Sequence, residues 1–259
     1  MHVTKMHGAR NDFAIVDCRA ETIELASFAR WVCDRRAGIG ADGVIALERS
    51  GVADVRMRIL NADGGEAEMC GNGIRCAARW LDEAGEGERI AFETEAGIVR
   101  TEIVTRTPEF LVRVEMGIPA VEDLALKGIS GAAFVDVGNP HVVIFRSDVD
   151  GIDLAAVAES LHQEPRFRDG TNVHVAAVRG PDSLNVRHWE RGVGLTQACG
   201  TGAVACAAVA IERRLAKAPV EILVPGGRLV VEWDGREGAD LIGPAARVFD
   251  TELDVSRVV

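Results

Sequence analysis

Two cysteines stand in the same short sequence setting. Cys199 lies in QACGTG (197–202) and Cys70 in MCGNG (69–73), and an Ala-rich or apolar stretch of helical length follows each motif. Backbone N–H groups at a helix start lack intrahelical partners, and the helix dipole is positive there. We therefore expect each thiol to be shifted toward thiolate, and the adjacent glycines to let a small anion such as a carboxylate approach bare amides.

The two motifs belong to a longer internal repeat. The cysteines are 129 positions apart, Asn11 and Asn139 are 128 apart, and Gly97 and Gly227 are 130 apart. Landmarks spread over about a hundred residues thus keep a nearly constant offset. This predicts an α+β fold of two pseudo-symmetric lobes that face each other, each an antiparallel or mixed sheet wrapped round one central helix.

Turn residues place the boundary between the lobes. A Gly-Ile-Pro break at 117–119 ends a series of strand-like runs, and a Gly-Pro pair at 243–244 mirrors it. We assign residues 1–117 to an N-terminal lobe and 118–247 to a C-terminal lobe. The tail, 248–259, is expected to return to the N-terminal lobe.

Two thiols that face one carbon atom suit acid–base chemistry. One thiolate removes a proton while the other thiol delivers one from the opposite side, which inverts a stereocentre. A redox dithiol is an alternative, although the duplication disfavours it. Nucleophilic catalysis by one cysteine with His141 is another, but it leaves the second cysteine motif without a role.

Composition restricts the partners. The chain of 259 residues is 47% hydrophobic and carries a formal net charge of −11, which argues against nucleic acid or an anionic membrane and leaves a small amino-acid substrate possible. No apolar run approaches the roughly 20 residues of a membrane span, and no apolar signal region opens the chain, so cytoplasm is the expected location. Six cysteines without CxxC spacing predict neither a metal site nor a disulfide framework.

Six motifs carry a resemblance to a known family. They are KMHGARNDF (5–13), NADGGEAEMCGNGIRC (61–76), GNPH (138–141), TNV (171–173), WERGVGLTQACGTGA (189–203) and PGGRL (225–229). Together they resemble the diaminopimelate epimerase family over nearly the whole chain. The resemblance implies a cofactor-free epimerase that interconverts LL- and meso-2,6-diaminopimelate in lysine and peptidoglycan precursor synthesis. It also implies two lobes with a cleft that closes on substrate, and a homodimer.

The resemblance further implies roles for individual residues. Cys70 and Cys199 would be the two acid–base thiols. The other implied site residues are Gly71, Asn72, Gly200 and Thr201 around the reacting carboxylate, Asn11, Asn61, Asn139 and Asn172 along the pocket, Glu190 and Arg191 at the distal charged groups, and His141 and Glu190 as groups that tune the thiols.

One departure leaves the substrate open. Arg10 stands beside Asn11 where the family usually has glycine, and a long cation there can change the pocket rim. A related two-cysteine racemase acting on histidine, proline or hydroxyproline is therefore an alternative. A non-catalytic amino-acid-binding protein is a third, and the two intact cysteine motifs argue against it.

Overall fold

The computed structural model describes residues 1–126, 128–161 and 163–255. It divides into two compact units, which we call the N-terminal unit (Met1–Val114 with the segment from Gly243 onward) and the C-terminal unit (Glu115–Ile242). The boundaries predicted from the sequence follow residues 117 and 247. The last part of the predicted returning tail, 256–259, lies outside the described residues.

The N-terminal unit is built from strands and two helices. Its elements are β1 (His2–Gly8), β2 (Asn11–Asp17), α1 (Leu25–Val32), β3 (Gly43–Glu48), β4 (Val55–Asn61), β5 (Glu66–Ala67), α2 (Gly71–Glu83), β6 (Arg89–Thr94), β7 (Gly97–Thr105), β8 (Leu111–Glu115) and β18 (Ala246–Glu252). The pairing order is β18-β1-β2-β3-β4-β6-β7-β8, with β2–β3 and β4–β6 parallel and the other neighbours antiparallel. Strand β5 adds to β4.

Side-chain alternation explains why the central strands of this sheet are buried. Successive residues of a strand point to opposite faces. Helix α1 packs on Ala14 and Val16 of β2 and on Val44 of β3, while α2 contacts the same strands through their other residues. Strands covered on both faces read as continuous apolar runs, as β3 does.

The turn from β1 to β2 has an unusual backbone. Ala9 and Arg10 both adopt positive φ, 50° and 67°. Two central residues with positive φ form the hairpin turn whose twist matches that of antiparallel strands. This turn delivers Asn11 to the first position of β2.

The C-terminal unit has a similar list of elements. They are β9 (Ala120–Leu126), β10 (Ile129–Asp136), β11 (Pro140–Phe145), α3 (Leu154–Leu161), a 3₁₀ turn (Pro165–Phe167), β12 (Asn172–Gly180), β13 (Ser183–Glu190), β14 (Gly194–Thr196), α4 (Gly200–Glu212), β15 (Val220–Val224), β16 (Gly227–Glu232) and β17 (Asp240–Pro244), whose last residues belong to the N-terminal unit. The pairing order is β9-β10-β11-β12-β13-β15-β16-β17, with β11–β12 and β13–β15 parallel and the other neighbours antiparallel. Strand β14 adds to β13.

Helix α4 is buried along nearly its whole length. Ten of its residues, from Gly200 to Ala210, are inaccessible to solvent, and it contacts β9 to β13, β15 and β16. Small alanine side chains let the helix lie close to the surrounding strands. The protein therefore has a mixed α+β fold that is rich in strands and has few helices, as the sequence predicts at this level. None of the helices in the described ranges has the length and apolarity needed to span a lipid bilayer.

Candidate active site

Each motif cysteine is the N-cap of a helix. Cys70 (φ −140°, ψ 114°) precedes α2 and Cys199 (φ −124°, ψ 117°) precedes α4, and both residues have extended backbones. The helices begin at Gly71 and Gly200, directly after the two cysteines, and the Cys199 side chain accepts from the Gly202 amide. The structure thus places both cysteines at helix starts, as their spacing predicts.

In the N-terminal unit, Cys70 lies against an oriented amide. Its Sγ is 3.6 Å from Asn11 Oδ1, and Asn72 Nδ2 donates to the same oxygen at 3.3 Å. Asn11 Nδ2 donates to Asp42 Oδ2 at 2.8 Å. Because an ionised carboxylate only accepts, Asp42 fixes the nitrogen of the Asn11 amide toward itself and the oxygen toward Cys70. The Cys70 thiol is therefore the donor in this contact.

A charged cluster holds Asp42 in place, and sequence analysis missed it. Arg35 contacts both Asp42 (2.7 Å) and Asp12 (2.8 Å), and Lys5 lies 2.7 Å from Asp12. Burial acts to raise the pKa of the Asp12 carboxyl, but hydrogen bonds from Arg35 and Lys5 outweigh it and the net pKa is lowered. Asp12 stays ionised at neutral pH, so the cluster is a permanent support for the Asn11 amide.

Arg75, which is itself a residue of α2, supports Asn72 in a similar way. Its guanidinium is fully buried and donates to Gly71 O and Asn72 Oδ1, both at 2.8 Å, and to Pro244 O at 3.1 Å. Burial lowers its pKa to about 10, which leaves it charged at neutral pH. Because Asn72 accepts from Arg75 with its oxygen, its nitrogen faces Asn11. The predicted residue Asn61 is exposed, and its backbone closes the turn over 61–65.

In the C-terminal unit, Cys199 is buried among donors and one acid. Its Sγ accepts from the Gly202 amide at 3.4 Å and lies 3.5 Å from Thr201 Oγ1. Burial raises the pKa of the Cys199 thiol well above its ordinary value, and the Glu190 carboxylate raises it further. The two hydrogen bonds lower the pKa but do not compensate. The sequence-based expectation of a lowered pKa is therefore wrong for Cys199, because burial and a neighbouring anion outweigh the helix start.

This arrangement predicts how the Cys199 thiol reacts. At pH 7 its alkylation by iodoacetamide should be slow and should accelerate up to and beyond pH 9. Glu190→Gln removes an anion that raises the pKa and should speed alkylation by up to about tenfold at a given pH, the change for one pKa unit. Peptide mapping by mass spectrometry measures the rate at Cys199 separately from the other thiols.

The exposed Glu159 of α3 supplies the control, since Glu159→Gln removes the same charge from the surface of the unit. Equal rates in Glu190→Gln and Glu159→Gln would show that Glu190 does not act on the thiol.

Asn172 and Arg191 occur together in the structure. Asn172 Nδ2 donates to Pro140 O and its Oδ1 accepts from the Arg191 amide, both at 3.0 Å. Asn172 therefore links the start of β11 to the chain that follows β13. This link leaves the Arg191 side chain exposed, with one contact of 3.4 Å to Asp169 O.

Gly202 has a reason to be glycine that the sequence did not reveal. A Cβ at this position would lie 2.5 Å from the ring of His174, whereas a Cβ at Gly73, the matching position of α2, would lie 3.2 Å from the flexible end of Ile45. Gly202→Ala should therefore lower the free energy of unfolding by about 1–3 kcal/mol through overpacking. Gly73→Ala should change the stability little, because the roughly 1 kcal/mol by which alanine favours a helix over glycine offsets the close contact with Ile45.

Urea unfolding of the two variants checks this pair of expectations. Equal stability of both would mean that the His174 ring does not lie against the start of α4.

Asn139 and His141 form the last predicted pair. His141 is fully buried, and its Nε2 lies 2.7 Å from Asn139 Oδ1. The half-buried Asn139 closes the turn that leads into β11. Within the described ranges, no group of three or more His, Cys, Asp or Glu side chains is arranged to hold a metal ion.

A known protein family and its curated members match this chain over most of its length. The family model described as Diaminopimelate epimerase matches residues 3–121 and 133–248. A curated relative, the diaminopimelate epimerase of Sphingopyxis alaskensis, is 42% identical over 97% of this chain and 96% of its own.

Solved structures share the fold at low sequence identity. A PhzF-family phenazine biosynthesis protein of Bacillus anthracis has a TM-score of 0.78 at 19% identity and covers 98% of each chain. A hydroxyproline epimerase of Agrobacterium vitis has a TM-score of 0.70 at 15% identity and covers 98% of this chain and 90% of its own. At these identities the likeness establishes the fold alone.

Proposed function

The chain belongs to the diaminopimelate epimerase family, and from this premise we propose that it interconverts LL- and meso-2,6-diaminopimelate without a cofactor. The observation that carries the proposal is the duplicated site element. Two cysteines of one chain are the N-cap residues of 13-residue helices, so each directly precedes the first amides of its helix. A single nucleophile or binding loop would not need this element twice.

In the proposed reaction both thiols act on the same α-carbon. In one direction Glu190 takes the proton of Cys199, and the Cys199 thiolate then removes the α-proton of the substrate. The carbanion's electron pair takes the Sγ–H proton of Cys70 on the opposite face, which forms the new C–H bond and leaves a Cys70 thiolate. In the reverse direction the roles exchange. The raised pKa of Cys199 and the donor contact of Cys70 support this distribution of protons.

The helix starts are proposed to bind the reacting carboxylate. The residues are Gly71 and Asn72 on α2 and Gly200 and Thr201 on α4. Negative charge spreads onto the carboxylate as the α-proton leaves, and amides already directed there stabilise it without reorganisation. Asn11 and Asn139 are proposed to line the substrate pocket, because a side-chain amide both donates and accepts hydrogen bonds.

We also propose that the two units are copies of one plan, each a sheet wrapped round its cysteine-capped helix. The support is that both pairing orders run antiparallel, antiparallel, parallel, antiparallel, parallel, antiparallel, antiparallel. A homodimer and a cytoplasmic location complete the proposal and derive from the family. Sedimentation of the purified protein tests the dimer.

Substrate identity is tested with a panel. The purified protein is incubated with LL-diaminopimelate, L-histidine, L-proline and trans-4-hydroxy-L-proline, and the isomers are separated by chiral chromatography. Conversion of diaminopimelate to an equilibrium mixture of LL and meso forms, with no inversion of the others, supports the proposal. Inversion of proline or hydroxyproline alone would replace it with the racemase alternative.

A variant of Arg191 should show whether this residue binds the second charged end of the substrate. Its planar guanidinium suits the distal carboxylate, and a charge-assisted hydrogen bond contributes roughly 1.5–3 kcal/mol. Arg191→Leu should therefore raise KM for diaminopimelate by about tenfold or more. Arg179→Leu, which removes another exposed arginine from this unit, should leave KM unchanged. The same KM in both variants would contradict the assigned role of Arg191.

A further inference from the structure

Three buried histidines of the C-terminal unit form one hydrogen-bonded chain. His141 Nδ1 lies 2.8 Å from His174 Nε2, and His174 Nδ1 lies 2.8 Å from His188 Nδ1. The chain ends at Asn139 Oδ1, 2.7 Å from His141 Nε2. His174 and His188 are at most 1% exposed, and nothing in the proposed reaction uses them.

Each imidazole of the chain carries a single proton at neutral pH. Burial lowers the pKa of His141 and of His188 to about 3, and it lowers that of His174 as well. The ring of His174 also lies against Gly202 in the first turn of α4, where the helix dipole opposes a positive charge. A neutral imidazole has one donor nitrogen and one acceptor nitrogen.

In a series of hydrogen-bonded neutral imidazoles, all N–H donors must point the same way along the series. When Asn139 presents its oxygen, His141 Nε2 has to donate, so His141 Nδ1 accepts from His174 Nε2. His174 Nδ1 then accepts from His188 Nδ1, and His188 Nε2 ends the chain as a bare acceptor. If the Asn139 amide turned over, every proton in the chain would have to move to the other nitrogen. The amide and the three tautomers are therefore one coupled unit.

The surroundings of His188, at the far end of the histidine chain, fit the direction in which His141 Nε2 donates to Asn139. Among the described residues, His188 Nε2 and Thr196 Oγ1 are buried side-chain atoms without a hydrogen-bond partner. The two residues are paired directly across β13 and β14. A buried acceptor without a partner is tolerated better than a buried N–H without one, which favours a bare His188 Nε2 over a protonated one.

We propose that His174 and His188 are positioning residues that act through His141 to hold the Asn139 amide with its oxygen inward and its nitrogen toward the substrate. The inference rests on the proposed function, because it assigns the outward N–H donor to a carboxylate oxygen of the amino acid. The reversed amide would present a carbonyl oxygen there and repel the carboxylate. Selection of an anionic group thus begins at residues that never touch the substrate.

The direction of the hydrogen bonds in the histidine chain can be measured without an activity assay. In the protein labelled with ¹⁵N at histidine, two-bond ¹H–¹⁵N correlation spectra report which ring nitrogen carries the proton, and single-histidine variants assign the signals. We expect His141 and His174 as Nε2–H tautomers and His188 as the rarer Nδ1–H tautomer. A spectrum with His188 as Nε2–H, or with any of the three protonated at pH 7, would overturn the proposal.

Two variants of His188 then test whether the histidine chain orients the Asn139 amide. His188→Leu removes the donor that sets the direction, so His141 should become a mixture of tautomers and KM for diaminopimelate should rise several-fold more than kcat falls. His188→Asn places an amide N–H near the former Nδ1–H and should restore one His141 tautomer and most of the KM.

A single unchanged His141 tautomer in His188→Leu would show that the chain does not control the amide. If the tautomers are as expected but diaminopimelate is not converted by the unaltered protein, the proposed function fails while the direction of the chain stands.

Discussion

Cys70→Ala and Cys199→Ala should each lower diaminopimelate epimerisation by roughly 10⁴-fold, the upper end of the range for a positioned acid or base. Each thiol is the only group that the mechanism supplies on its face of the α-carbon, so neither can replace the other. Both variants should remain folded, because loss of one sulfur at a helix N-cap leaves the packed faces of α2 and α4 intact. Chiral chromatography measures the activity, and circular dichroism measures the fold.

The chain offers a matched control on the same helix. Cys76 is fully buried in α2, six residues after Cys70, and burial raises the pKa of its thiol to about 12. Cys76→Ala should cost on the order of 1 kcal/mol of stability, as for other small core truncations, and should keep the activity. If Cys76→Ala were as inactive as Cys70→Ala, or if Cys70→Ala were unfolded, the assignment of Cys70 to the site would be wrong.

The second large effect is on stability in mild acid. The folded pKa values of His141, His174 and His188 lie below those of unfolded histidine, so their neutral form stabilises the protein fully above about pH 6.5. As pH falls toward the folded values, the unfolded chain takes up protons that the folded chain does not. With three such groups the free energy of unfolding should fall by about 4 kcal/mol per pH unit below pH 6.

Urea unfolding between pH 7 and 5 measures this slope. The stabilisation by the Asp12 carboxyl, whose pKa is lowered, is lost only below about pH 4 and does not interfere. His188→Asn should remove about one third of the slope. The same slope in the unaltered protein and in His188→Asn would mean that His188 is protonated in the folded state at these pH values.

Local sequence patterns predicted much of what surrounds the cysteines. The small residues after Cys70 and Cys199 and the apolar stretches that follow them predicted two helix starts, because such signals depend only on neighbours along the chain. The family assignment from the sequence motifs is confirmed by the family model and by the curated relative. The roles of the individual site residues stay predictions.

Features that depend on contacts between distant segments were not predicted. Strand β9, which pairs with the neighbouring β10, was not predicted either, because the consecutive exposed residues Glu122 and Asp123 break the alternation typical of a strand. Asp42 supports Asn11 from a loop 31 positions away. The raised pKa of Cys199 reflects burial, which its sequence neighbours do not reveal.

The histidine chain shows the same limit. His141, His174 and His188 lie on three different strands, and only the register of β11, β12 and β13 brings their rings together. Of the three, only His141 is singled out by the sequence. A signal was present in the position of His174 between Val173 and Val175, inside the buried part of β12, but such a run does not specify which strand lies beside it.

Solvent deuterium in the first turnovers tests the two-thiol mechanism most directly. LL-diaminopimelate is incubated with the protein in D₂O, and mass spectrometry follows the label in recovered substrate and in product. The mechanism predicts one deuterium at the inverted α-carbon of meso-diaminopimelate, while recovered LL substrate keeps its protium, because the incoming proton comes from a second thiol that has exchanged with solvent. Early product that retains protium, or substrate labelled as fast as product, would show that one group both removes and returns the proton.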